Sequence, residues 1–396
     1  MPVLTPDAVR SVGASFHAVR RAAVERATAT PFPTPELEVW RYSRIDELAL
    51  DRFQPTASSV AVSPVPAGVT VHVVAPGDAT VEESVSTVFD GATGADLFDD
   101  LNLAHMHAII VRVPRGVAAD EPIVITHNCS GVDEAFFPRL VIDAAENSEI
   151  TVVERFVSDD AATTLTVPVL DARIAQAARV RYLAINELGG SSWLIGRQHS
   201  VGQRDSDALL ATVALGGDYA RMVTDARVEG VGANTRQVAL YFAGDNQMHD
   251  FRTLQDHVSP RTTSDLLFKG AVQDSAKSVY TGLIRIGKDA KGAAAYQTNR
   301  NLTLSQGAWA ESVPNLDIQT NDVKCSHAST VGPIDEDQLF YLESRGVHPD
   351  VAQRLVVLGF FDEVIAQLPV GTLAASLRER VARKLNVANS TTEVGS

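Results

Sequence analysis

Cysteine is almost absent from this chain: Cys129 and Cys325 are the two thiols in 396 residues. That excludes a disulfide framework, and it excludes a four-cysteine metal site built by one copy. No apolar run approaches the roughly 18 residues that a membrane crossing needs. The start, Met1-Pro2-Val3-Leu4-Thr5-Pro6, lacks the charged and apolar regions of a signal peptide. Basic charge is also short, with 34 Lys and Arg against 49 Asp and Glu, a net charge of −15. Nucleic-acid binders draw affinity from clustered cations, so nucleic acid is not expected as a partner. With no apolar span and no signal-like start, no membrane partner is expected and the expected location is cytoplasmic.

Enzyme signatures are missing where their mechanisms need a particular atom. Gly282, Gly287 and Lys288 have P-loop spacing, but Asp289 follows where a Mg²⁺-binding hydroxyl belongs, so no ATP binding is expected. Gly230-Val231-Gly232 begins a dinucleotide fingerprint, reaches Thr235 instead of the third glycine, and reads as a turn. There is no G-x-S-x-G, H-E-x-x-H or C-x-x-C.

What is present falls into three stretches. Thr5 to Arg26 reads as a helix, with Val9, Val12, Phe16, Val19 and Val24 on one side and Arg10, Arg20, Arg21 and Arg26 mostly on the other. Thr30-Pro31-Phe32-Pro33-Thr34-Pro35 then makes a stiff connector into Trp40-Arg41-Tyr42. From Ala57 to Cys325 short β-branched runs such as Ala108–Val113, Ile150–Val153 and Val180–Ile185 alternate with Gly, Asp, Asn and Ser. Strands without crossover helices exclude a doubly wound sheet and leave packed antiparallel sheets or a solenoid; no strict repeat decides, and the length of the stretch gives the solenoid a modest edge.

After Gly332 the period is helical. Asp335 and Gln338 form a capping-box-like start, Leu339 and Leu342 share a face, and Gly346 is a stop. A second helix is expected from Pro349 to Gly359, a third through Val364, Ile365 and Leu368, and a last through Leu373, Leu377, Val381 and Leu385. The expected units are residues 1–55 (helical), 56–332 (β core), 333–386 (helical) and a disordered tail, 387–396.

The most suggestive constellation is Lys324-Cys325-Ser326-His327. In an extended segment Cys325 and His327 face the same way and can share one soft metal, with Lys324 favouring thiolate. The pattern alone is commoner as a packed Cys beside a hydrogen-bonded His. Two ligands are an incomplete site, so a second subunit or sulfide would have to supply the rest. His105 and His107 read as structural, His249 and His257 as a hydrogen-bonded surface, and Trp40-Arg41-Tyr42 as packing or a cation–π patch.

The run from Asp322 through Lys324-Cys325-Ser326-His327 to Gly332, followed by Asp335-Glu336-Asp337-Gln338-Leu339-Phe340-Tyr341-Leu342, resembles the signature of the SufB/SufD family of iron–sulfur cluster assembly proteins. Thr262–Gly270, Ala295–Leu302 and Glu38–Ser43 resemble further motifs, the last of them, with the scarcity of cysteine, favouring the SufD branch. The resemblance implies a mainly β fold, a right-handed parallel β-helix with N- and C-terminal α-helical parts. It implies an accessory scaffold and iron-acquisition subunit, not an enzyme by itself. Its partners would be a SufB-like subunit, met through the β-helix, and a SufC-like ABC ATPase, met through the C-terminal helices at Leu339, Phe340, Tyr341, Leu355, Phe360 and Phe361. A homodimer in isolation is a further expectation. Iron or a nascent Fe–S cluster would be shared between His327, Cys325 and a SufB cysteine. Two departures stand out: Ala328-Ser329 replaces the family's Gly-Ala after the motif histidine, and Asp250-Phe251 stands where the family often has a second histidine after His249. The rivals are a β-solenoid carbohydrate-active enzyme and a purely structural SufB partner.

Overall fold

A computed structural model describes residues 16–76, 78, 85 and 87–392, with side chains up to 385. The N-terminal part of the expected first helix, with Val9 and Val12, lies outside the described residues. The core is a parallel β-solenoid of eight turns. Each turn gives one strand to sheet A, from His107–Val113 to Trp309–Ile318, and one to sheet B, from Ile123–Asn128 to Val323–Gly332. One antiparallel strand, Thr70–Val74 or Ser59–Val62, closes each sheet at the first turn.

Left-handed corner residues turn the chain from sheet A to sheet B: Gly116, Asn147, Ala177, Asp205, Gly232, Arg261 and Gly292 all have positive φ. They stack, because the N–H of each donates to the next turn, for example Ala177 to the Arg204 carbonyl and Arg261 to the Lys291 carbonyl. Neighbouring corners are 27 to 31 residues apart by these numbers. Glycine adopts that conformation freely, Asn and Asp tolerate it, and Ala177 and Arg261 hold it within the stack.

Both sheets are covered on their outer faces, so their strands read as nearly continuous apolar runs. The interior changes along the axis. The early turns pack Ile109, Ile125, Leu140, Ile142 and Val152. The later ones bury Gln198, Gln237, Gln255, His257, Asn299 and Asn301, each of which needs internal partners.

Sheet A is covered by helix α1 (His17–Ala29), helix α2 (Leu97–His105) and a strap through residues 31–53. Arg20 is not on the solvent side of α1: it is buried and donates to the Ala104 and Met106 carbonyls at the end of α2. Burial lowers its pKa to about 10.

Sheet B carries α3 (Glu336–Ser344), α4 (Pro349–Ile365) and α5 (Ala374–Thr392). Asp335 caps α3 by accepting from the Asp337 and Gln338 N–H groups. Gly346, at φ 82°, ends it, with its own N–H and that of Val347 bonded to Glu343 and Leu342. The expected break at Gly359 does not occur. A single helix runs through it because Val357, Phe361, Val364 and Ile365 form one buried face, which outweighs the modest cost of a mid-helix glycine. The chain is also helical to Thr392, past the expected start of the tail; no Gly or Pro interrupts 372–392.

Candidate functional site at the open end of the solenoid

The eighth turn has no successor, so its inward-facing residues open outward. Leu316, Ile318 and Val331 align with the interior residues Ile284, Ile286 and Asn301 of the preceding turn, yet remain 40–42% exposed. Cys325 and His327 lie on this rim, stacked above Ala295 and Gln297. The period of two places both on the inward face, with Lys324 on the other.

Cys325 is half-buried beside Ile284, Ile286, Ala290, Ala293 and Val323, and His327 is exposed. Lys324 therefore does not activate the thiol; burial instead pushes its pKa upward. Metal ligation would have to displace that proton. Among the described residues no group of three or more His, Cys, Asp or Glu can hold a metal ion. The donor set fits half of a soft-metal site, a thiol and an imidazole, and no more. Cys129 does not extend it: the thiol is buried near the first turn and raised to about 12 by desolvation.

Each departure from the family pattern has its own place in the structure. Ala328 faces outward, and Ser329, facing inward, donates to Ser312 Oγ at 2.6 Å. Asp250 faces the strap. It accepts from Arg221, from Tyr219 at 3.1 Å and from Arg252 Nε at 2.9 Å. Those arginines donate in turn to the Val39 and Arg41 carbonyls, both at 2.5 Å. The cation over Trp40 is thus Arg221, 4.0 Å from the ring centre, while Arg41 sits 5.0 Å from Tyr42.

His249 and His257 are not on a surface. Both are fully buried in the solenoid, held neutral by desolvation with pKa values lowered to about 3 and about 4. His257 bonds Thr262 at 2.8 Å and Ser264 at 2.7 Å. His105 and His107 are buried where α2 meets its strand. The P-loop spacing is accidental, since Gly282 lies inside the strand Lys277–Ile286.

Of the expected interface residues, Phe340, Tyr341 and Leu355 are 73%, 59% and 49% exposed, and Leu339 and Phe360 are half-buried. Phe361 is a correction: it is fully buried, 6.3 Å from the Phe242 ring, and offers no exposed surface. Sequence reasoning missed Lys269, buried under α4 and bonded to Glu363 at 2.5 Å and the Phe360 carbonyl at 2.9 Å. A lysine inside the apolar run Leu266-Leu267-Phe268 was the available signal. Also missed was an interior array in which Glu154 bonds His127 at 2.8 Å and Tyr182 at 2.5 Å.

Comparison with known proteins agrees with this architecture. Residues 125–360 match the domain described as SUF system FeS cluster assembly, SufBD core domain. The chain is 33% identical over 366 residues, 89% of each chain, to an iron-sulfur cluster assembly SufBD family protein of Mycobacterium tuberculosis. It is 27% identical over 387 residues, 91% of each chain, to the iron-sulfur cluster assembly protein SufD of Escherichia coli. With SufD of Bacillus subtilis the identity is 29% over 300 residues, 72% of this chain and 68% of the relative. These matches set aside the polysaccharide-cleaving reading, and the chain belongs to the SufBD family of iron–sulfur cluster assembly proteins.

Proposed function

We propose that the chain is a SufD-like, non-ATPase subunit of a SufBCD-type complex in the cytoplasm. It helps to acquire iron and to assemble clusters, with Cys325 and His327 as its contribution to a nascent cluster at the junction with a SufB-like subunit. The cluster is cargo, and the missing ligands come from the partner. The observation that carries this reading is the open eighth turn: apolar inward residues and two unpaired strand edges surround one thiol and one imidazole on the same face. Such an edge is a ready template for another chain's strands.

A SufC-like ATPase binds at α3 and α4, where Phe340, Tyr341 and Leu355 are exposed beside a cavity of about 590 Å³ lined by Leu302, Ile334, Leu342 and Phe360. No helix among the described residues is long and apolar enough to cross a membrane, which fits this setting. The packing of Cys325 against aliphatic side chains favours one second reading, in which the pair is inert and the chain only shapes its partner.

The interface is tested by Leu316→Lys with Ile318→Lys, co-expressed with SufB-like and SufC-like subunits. Burying two new ammonium groups is costly, so the folded variant is expected to lose the SufB-like subunit. Undiminished co-purification would contradict docking at this end.

A further inference from the structure

Two of the motifs singled out in the sequence, Thr262–Gly270 and Ala295–Leu302, lie next to the candidate site without belonging to it. Their side chains contact helix α4 on the outer face of sheet B and the eighth turn on its inner face. Inside the solenoid, all four bonding positions of Asn299 are filled. Its Oδ1 accepts from Asn301 at 2.8 Å and Ser312 at 2.7 Å, and its Nδ2 donates to Tyr241 Oη at 2.9 Å and the Phe268 carbonyl at 3.3 Å. Ser312 accepts in turn from Ser329, on the same face of the rim strand as His327 and two residues beyond it.

On the outer face of the same strand, between Asn299 and Asn301, Arg300 reaches Glu363 of α4 at 3.9 Å. The Glu363 carboxylate is held chiefly by Lys269, whose Nζ is 2.5 Å away and whose side chain is 4% exposed. Lys269 and Arg300 are paired neighbours in sheet B. One strand, Ala293–Thr303, is therefore gripped from outside by the helix and holds the rim from inside. Successive side chains point to opposite faces, so a displacement of that backbone moves both sets together.

We propose that Asn299, Ser312 and Ser329 are positioning residues for Cys325 and His327, and that α4 sets their geometry through Glu363, Lys269 and Arg300. The proposal rests on the reading of Cys325 and His327 as the site. On that reading, a partner bound at the helices would alter the rim through this strand.

The test needs neither iron nor partner. In the full chain at one pH, iodoacetamide reports on Cys325, because Cys129 is buried with a raised thiol pKa. Glu363→Gln and Ser329→Ala are each expected to change the Cys325 alkylation rate about three- to tenfold, within the usual range of such coupling. Their double variant should change it no more than the larger single effect. Glu379→Gln, which loses only an exposed pair with Arg383, should leave it unchanged. Amide exchange in Asn234–Ala243 should stay at the wild-type rate. A Glu363→Gln rate within twofold of wild type, a double effect equal to the product of the singles, or faster exchange throughout the solenoid would overturn the proposal. Because no metal enters the measurement, that failure is distinguishable from failure of the cluster role, which iron content reports.

Discussion

Replacing Asp250 by Asn should release the strap from sheet A while leaving the solenoid folded. Asp250 is fully buried between Arg221 and Arg252, whose side chains are 4% and 11% exposed. Both guanidinium groups also donate to strap carbonyls, so the docked strap keeps them from water. An amide cannot neutralise them. The docked form of Asp250→Asn would hold two unpaired cations, whereas lifting the strap would let them hydrate. Removing one partner of a buried ion pair costs about 3–5 kcal/mol. The low end applies here because Arg252 keeps its 2.9 Å bond to Thr281. About 3 kcal/mol corresponds to roughly a hundredfold rise in the undocked population. Trypsin under native conditions reads that population through cleavage at Arg41 and Arg44, which lie in the strap. Cleavage within about fivefold of the wild-type rate would refute the clamp.

Gly270→Ala should lower the thermal midpoint by several degrees, since its Cβ would fall 1.9 Å from the buried Tyr241 ring, whose hydroxyl bonds Asn299 and Asn301. An unchanged midpoint would mean that Tyr241 is not fixed by that network. Acid should destabilise the chain. The unfolded chain protonates His257 and His249 near pH 6.5, the folded chain only near 4 and 3, so stability falls as pH drops below about 6.5. The slope per group approaches about 1.4 kcal/mol per pH unit. Urea midpoints at pH 7 and pH 5 should diverge less for His257→Gln than for wild type, and equal divergence would argue against a neutral buried imidazole.

The strands were legible because both faces of each sheet are covered, leaving dense apolar runs between polar corners. The repeat was not, because the corner position is Gly at 116, 232 and 292, Asn at 147 and Asp at 205, but Ala at 177 and Arg at 261. Spacing also drifts between corners, which erases a strict period. The pairing of Cys325 with His327 on one face could be read from a period of two. That the face opens at the end of the solenoid could not, because it depends on no ninth turn following. Gly359 misled for a similar reason: local propensity suggested a stop, and burial of Phe361, Val364 and Ile365 on sheet B carried the helix through. The ion clusters at Asp250 and Lys269 join residues about 90 to more than 200 positions apart, beyond any local pattern.

The central claim, that Cys325 and His327 supply half of a shared cluster site, is tested most directly by iron and sulfide content. Wild type, Cys325→Ser and His327→Ala are co-purified anaerobically with SufB-like and SufC-like subunits. Complexes of equal stoichiometry in which both variants lose iron or sulfide are the predicted result. Iron and sulfide unchanged in intact variant complexes would contradict it and leave this chain as a scaffold alone.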